Sequence, residues 1–502
     1  MNYSEKEIYN LFEKNFNNQD IYKSEEAGRV ISYGDGICIV SGLSNAYMGE
    51  LIIFDRGNTG IIFDLNDDTC SIFLIGTDSV ISGEGARRTN NLYYIPTTKN
   101  FLGRVIDITG NAIDGLDQEW DIEKSEKRYI ESQIIGISER TPVAKPLMTG
   151  ILAIDALIPI GKGQRQLFIG NRNTGKTAAA IDVIIRQRNT DIICIYVAIS
   201  QQQSHVAKIA NYLKINKAMN NTIIISADAG KPAIHSYLAP YIGTTIAEYF
   251  SQQEKRDVLI IYDDLSNHAV AYREMSLLMK RSPAREAYPG DIFYLHARLL
   301  ERCGSFLNNG SITALPIAQI QEDDISAYIP TNLISMTDGQ ILFDTKLFNN
   351  GIKPAVNPEL SVSRVGGAAQ YPIINKLSKS LRLDLAQYHE LAIFSQFGSE
   401  MDELANEKLK KGAMLISLLA QSIGRNYKVF EEAIILYMFK YWNKNLMKIN
   451  EIKDFINWFL SFIYSTKKEL CNELEKGDPI SEKNAKLLDE TILEAITIFE
   501  IK

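Results

Sequence analysis

RQLFIGNRNTGKTAAAIDVIIRQR, residues 165–188, runs through three patterns in succession. Arg165 to Ile169 is a short apolar strand, Gly170 to Thr177 fits G-x-x-x-x-G-K-[ST], and three successive alanines then open a strong helix former. Strand, glycine loop and helix in that order place a phosphate group at the positive end of a helix, wrapped by backbone N–H groups. Gly170, Arg172, Asn173, Thr174, Gly175 and Ala178 are the expected cradle. Lys176 is expected at the β and γ phosphates and Thr177 at magnesium. A glycine turn with a chance GKT would explain neither the strand before it nor the helix after it.

Outward from this loop, β-branched apolar runs alternate with helical segments from about Thr97 to Pro372: IICIYVAIS, TIIIS, VLIIYDD and SITALPI. Such runs predict a parallel sheet covered on both faces. In VLIIYDD, Asp263 emerges at the carboxyl end of its strand, where a nucleotide site needs a carboxylate for magnesium. Asp264 suits a cap on the following helix. An isolated strand-end aspartate is commonly a turn residue, and the phosphate loop is what favours the metal role. Together these features specify a phosphate-loop nucleotide binder, a description shared by kinases, helicases, GTPases and rotary motors.

Further out, GRVISYG, GICIVSG, ELIIFD and TGIIFDL predict a small β-barrel or sandwich over 26–96. Beyond it lies the nucleotide-binding α/β domain, 97–371. Helical spacing in LAQYHELAIFSQF, AMLISLLAQSI and FEEAIILYMFKYW predicts an α-helical domain over 372–502. The aromatic-rich stretch Tyr427 to Tyr464 reads as the core of that domain rather than a lipid-facing surface. Within 1–25, Ile8, Leu11, Phe12 and Phe16 share one helical face, which predicts a short docking helix.

The 502 residues suit several domains, and 61 acidic against 53 basic residues give a net charge of -8. No global field attracts nucleic acid or an anionic membrane. Five scattered cysteines form no C-x-x-C pair and point to a reducing cytoplasm. The charged start MNYSEKEIYNLFEKNF lacks a signal-peptide core, and no run approaches the ~18 apolar residues of a membrane span. Membrane association is expected only through partners.

The long motifs are more specific. LIPIGKGQRQLFIGNRNTGKTAAAIDVI, YVAISQQQ, the stretch from LIIYDDLSNHAVAYREM to FYLHARLLER, PTNLISMTDGQI and SVSRVGGAAQ together resemble the α subunit of the F-type ATP synthase head. The resemblance extends from the N-terminal helix to about Phe397 and more loosely beyond. It implies a RecA-like core binding ATP or ADP with Mg2+, in a hexameric ring where α subunits alternate with catalytic β subunits around a central shaft. It implies a stalk or linking subunit at the N-terminal helix and a location peripheral to the inner face of the cell membrane. It also carries nucleotide-binding roles onto Gln201, Phe348, Lys353 and Gln421.

Catalytic subunits of the family carry a glutamate in a Gly-Glu-Arg motif where this chain has Gln201 in YVAISQQQ. An amide cannot serve as a general base. Some GTPases nevertheless use a glutamine to orient water, so Gln201 alone leaves turnover open, and the family alignment favours held nucleotide. Arg364 in SVSRVGG matches the family's arginine finger, which acts in trans on the neighbouring β site. Asn171 and Asn173 replace the acidic residue and glutamine of the usual loop, Lys353 stands for arginine, and Ile423 stands for a second glutamine near the adenine. These departures put nucleotide affinity and base preference in question. They leave room for an F-type-like paralogous motor, such as one powering gliding. A self-sufficient homohexameric ATPase would need a carboxylate near Gln201, whereas Glu248 and Glu254 are expected on a later helix.

Overall fold

The computed structural model describes residues 27–76, 79–396, 403–442 and 452–500. The docking helix expected within 1–25 lies outside them, as does Phe397. Strands β1 (Ala27–Gly34), β2 (Ile37–Ser41), β3 (Glu50–Phe54), β4 (Thr59–Leu65), β5 (Thr69–Leu74) and β6 (Gly85–Leu92) close into a barrel in the order β1-β2-β5-β4-β3-β6. Alternation points Val30, Val40, Ile52, Phe54, Ile62 and Ile72 inward. Strand β6, GARRTNNL, contributes only Ala86 to this core, and its pairing with both β1 and β3 is what makes it a strand.

Strand β7 (Tyr94–Thr97) pairs with β9 (Glu126–Tyr129), and β10 (Pro146–Leu147) with β11 (Ile160–Gly161). Strand β8 (Val105–Ile106) joins the main sheet with β12 (Leu167–Gly170), β13 (Ile193–Gln201), β14 (Thr222–Asp228), β15 (Val258–Asp263), β16 (Ile312–Gln319), β17 (Gly339–Phe343) and β18 (Val356–Ser363). The order is β18-β17-β12-β16-β15-β13-β14-β8. From β8 to β17 the pairs are parallel, and β15 is buried along its whole length, which accounts for its unbroken apolar run.

The expectation of a parallel sheet needs one correction, because β18 runs antiparallel to β17. The intervening segment forms only the short helix Thr345–Asn349, too little for a crossover across the sheet face. The chain therefore turns back along the same edge. The strand expected at Arg165 to Ile169 is observed two residues later as β12, with Arg165 making only an isolated bridge to Ala314.

Helices Pro372–Ser378, Leu381–Gln396, Glu403–Leu419, Val429–Trp442, Ile452–Thr466, Lys468–Leu474 and Glu482–Glu500 follow. Phe455 and Phe459 are buried and stacked at 5.5 Å, the half-buried Trp458 stacks on Phe462 at 5.2 Å, and Tyr464 at the end of the stretch is exposed. Burying each such ring contributes about 1.5–3 kcal/mol. One apolar cluster joins Ile154 and Ile184 beside the sheet to Leu415, Phe430 and Phe459 of the helices. The nucleotide and helical segments thus form one compact unit, Ile95–Gly230 with Ser236–Ala271 and Pro283–Lys502. The described residues up to Tyr94, with Lys231–His235 and Tyr272–Ser282, form the other.

Candidate functional site

The loop after β12 lies at the carboxyl end of the central strands, the place where open α/β sheets leave a crevice for ligands. Gly170 is required there by close approach, since a Cβ would sit 2.4 Å from the Phe343 carbonyl oxygen. Gly175, at φ +95°, turns the backbone through the left-handed region into helix Lys176–Arg186. The helix packs Ala179, Ala180, Val183 and Ile184 into the core, which fixes its N-terminus against the loop. Lys176 Nζ donates to the carbonyls of Gly170 at 2.8 Å and Asn171 at 2.5 Å. Burial lowers its ammonium from 10.5 to about 8, against the opposing charges of Asp264 and Asp263.

Beside the lysine, the Thr177 hydroxyl donates to Asp263 Oδ2 at 2.8 Å and the Tyr196 hydroxyl to the same oxygen at 2.6 Å. Hydroxyl and carboxylate oxygens are the hard donors that suit magnesium, so the set fits the metal expected at Thr177 and Asp263. Asp264 accepts from the Asn267 backbone N–H at 2.7 Å, the helix-capping role read from its position. Burial, then the Asp263 charge, pushes its carboxyl up to about 7. Gln201 is the half-buried last residue of β13. Its Nε2 donates to the Asp263 carbonyl at 2.9 Å and to Tyr196 Oη at 3.3 Å, while its buried Oε1 has no partner among the described residues.

Beside the phosphate loop, its own Thr174 and Gly175 line one cleft together with Ala178, Phe348, Lys353, Gln421, Ile151, Asp182, Phe343 and Ile423. Lys353 Nζ lies 5.2 Å from the Phe348 ring centroid. The Gln421 amide is engaged by the backbone: Oε1 accepts from Leu152 N at 3.0 Å and Nε2 donates to Gly150 O at 2.7 Å and to Arg425 O. In this structure Gln421 shapes the cleft rather than offering a free amide to it.

Arg172 and Asn173 are exposed at the tip of the loop. Asn171 joins Asp323 at 2.9 Å and Thr345 at 3.0 Å, bracing the loop against a neighbouring turn. Arg364 follows β18, exposed and outside the cleft lining. Among the described residues, its side chain is held by Nη2 donating to the Ile334 carbonyl at 3.5 Å.

The later carboxylates are engaged elsewhere. Glu248 pairs with Arg302 at 2.7 Å, and Glu254 pairs with Lys99 at 2.8 Å. Helix Ala233–Gln252 carries Glu248 but ends two residues before Glu254, which corrects the placement expected from sequence.

Sequence reading missed Tyr196, Gln319, Asn171 as a brace, and Asp182, whose carboxylate accepts from Gly424 N at 3.1 Å. Gln319, at the end of β16, donates its amide to Asp264 Oδ2 at 2.5 Å. The position of Gln319 at a strand end was the available signal. Tyr196, inside an apolar run, offered none.

Residues 150–363 match the nucleotide-binding domain of the ATP synthase alpha/beta family, and residues 370–495 match the C-terminal domain of the family's chains. The chain is similar to ATP synthase subunit alpha of Acetivibrio thermocellus, 47% identical over 470 residues that cover 92% of each chain. It is also similar to the sodium ion specific ATP synthase subunit alpha of Acetobacterium woodii, 45% identical over 466 residues, covering 93% of this chain and 92% of that one. With a phosphate loop facing a strand-end carboxylate, and relatives matched along nearly the whole length, the chain belongs to the ATP synthase alpha/beta family as an F-type alpha subunit.

Proposed function

We propose that this subunit holds ATP or ADP with Mg2+ without turning it over, and supplies Arg364 to a catalytic β-type neighbour in a hexameric ring. The observation that carries this reading is the place of Gln201: the residue aimed at Asp263 and Tyr196 is an amide, with no proton-accepting carboxylate in its stead. Lys176 and the loop N–H groups would neutralise the phosphates, and Thr177 with Asp263 would hold the metal, directly or through water. The bound nucleotide supplies negative charge that completes the field of Lys176. Phe348 and Ile423 would flank the base, with Lys353 and Gln421 shaping the cleft around it.

Exposure of Arg364, and the long 3.5 Å contact that holds it among the described residues, suit a guanidinium that completes its bonding on another chain. The barrel would hold the ring together, with a shaft subunit at its centre and a stalk or linking partner at residues 1–25. The assembly would sit at the cytoplasmic face of the membrane through those partners. Among the described residues no helix is long and apolar enough to cross a membrane.

The purified chain, free of β-type subunit, tests the reading. It should retain nucleotide through desalting and show no sustained hydrolysis, and Lys176→Ala should abolish retention. Sustained turnover by the pure chain would favour the self-sufficient ATPase, and unchanged retention in Lys176→Ala would mean the site is misplaced.

A further inference from the structure

Where the helical segment meets the end of helix Lys176–Arg186, charged groups are buried that the nucleotide site does not use. Asp155 is 3% exposed and Glu432 0%. Asp155 accepts from Thr149 N at 3.0 Å, Thr149 Oγ1 at 2.8 Å and Gly150 N at 2.8 Å. Glu432, on helix Val429–Trp442, presents two buried oxygens to which no described group donates. Its carboxyl faces Asp155, and a contact between two carboxyls is attractive only when one of them carries a proton.

The surroundings supply too little positive charge to ionise both. Arg186, the last residue of helix Lys176–Arg186, is the cation that acts on Glu432. Glu431 on the same helix as Glu432 adds negative charge and is itself met by Arg425 at 3.7 Å and by the Lys428 backbone N–H at 2.8 Å. Glu475 also acts on Glu431, and Lys376, on the packed helix Pro372–Ser378, is exposed. Arg186 Nε and both amide atoms of Asn426 are buried with no partner among the described residues, so the junction is polar and incompletely paired. Because Asp155 already accepts several hydrogen bonds, it is the better anion, and the proton belongs on Glu432.

We propose that Asp155 and Glu432 share one proton, and that this proton latches the helical domain to the nucleotide-binding domain and is lost as pH rises. The latched segment includes Gln421, whose amide ties Gly150 and Leu152 to the lip of the cleft. Burial raises both carboxyls above their ordinary range. A group with a raised folded value contributes stability below its unfolded value and loses it as pH climbs through the folded one. The latch is therefore strongest below the ordinary carboxyl range and weakens as pH climbs from there towards the raised folded value.

The full-length chain tests this by urea and thermal unfolding from about pH 6 to about pH 9, compared with Glu432→Gln, which keeps shape and a donor but cannot ionise. The gap between them should widen with pH, to about 3 °C or more in Tm at the alkaline end in favour of the variant. Infrared difference spectra should show a protonated carboxyl band at neutral pH that Glu432→Gln lacks. Parallel pH slopes, or no band lost, would overturn the proposal. Should the variant fail to fold, the unsubstituted chain decides: loss of the carboxyl band and of exchange protection at the Leu152 and Gln421 amides, corrected for intrinsic base catalysis, must share one midpoint. Separate midpoints would equally overturn it.

Discussion

Replacing Arg364 by alanine separates the role proposed for this arginine from a structural one. Within its own chain the side chain is exposed and touches the Ile334 carbonyl only at 3.5 Å, the outer limit of a hydrogen bond. Removing a surface group of this kind costs about 0.5 kcal/mol or less. The backbone N–H that anchors the residue to the Asp338 carbonyl at 2.8 Å survives the substitution. A guanidinium acting on a transferring phosphoryl group is worth about 10³-fold or more in rate, or roughly 4 kcal/mol of barrier. The two magnitudes differ by nearly an order, so the experiment can decide.

Arg364→Ala should leave unfolding, nucleotide retention by this subunit and assembly with a β-type partner nearly unchanged. Hydrolysis by the matched complex should fall about 10³-fold. Lysine should rescue poorly, because it keeps the charge and loses the fork of donors. Steady-state turnover of size-selected complexes is the assay. Activity of Arg364→Ala within about threefold of the parent, well short of the expected loss, would refute the trans role.

Gln201→Glu removes the amide donor to the Asp263 carbonyl and adds a further carboxylate beside Asp263 and Asp264, so the pure chain should lose about 1–3 kcal/mol by urea unfolding, and unchanged stability would show that the amide contact is idle. For Lys176 the folded ammonium lies at about 8 against 10.5 in the ordinary state, which penalises the charged folded form at neutral pH. The nucleotide-free chain should therefore gain stability relative to Lys176→Met as pH rises from about 8 towards 10.5, and a gap in Tm that stays flat would contradict the burial of this charge. Gly175→Ala should unfold within about 1–2 kcal/mol of the parent yet lose nucleotide retention, because φ +95° strains a residue with a Cβ at the turn that aims the loop; retention at parental level would show that the turn is not needed.

Local patterns carried much of this protein. The phosphate loop, the strand ending in Asp263, the helical last third and the family itself are legible because each depends on residues within one or two elements of chain. Spacing and side-chain type there impose backbone geometry directly.

What the tertiary structure decided are relations between segments distant in sequence. Parallel pairing of β13 with β15 sets Ala198 opposite Asp263 and brings Tyr196 to its carboxylate, although Tyr196 sits in an apolar run. Strand β6 is polar and is a strand only because β1 and β3 supply its hydrogen bonds. The turn back into β18, the engagement of the Gln421 amide with Gly150 and Leu152, and the meeting of Asp155 with Glu432 depend on how the helices close over the sheet. No local spacing encodes these, because a buried polar group takes whichever partner packing delivers to it, and that partner is chosen by the whole core.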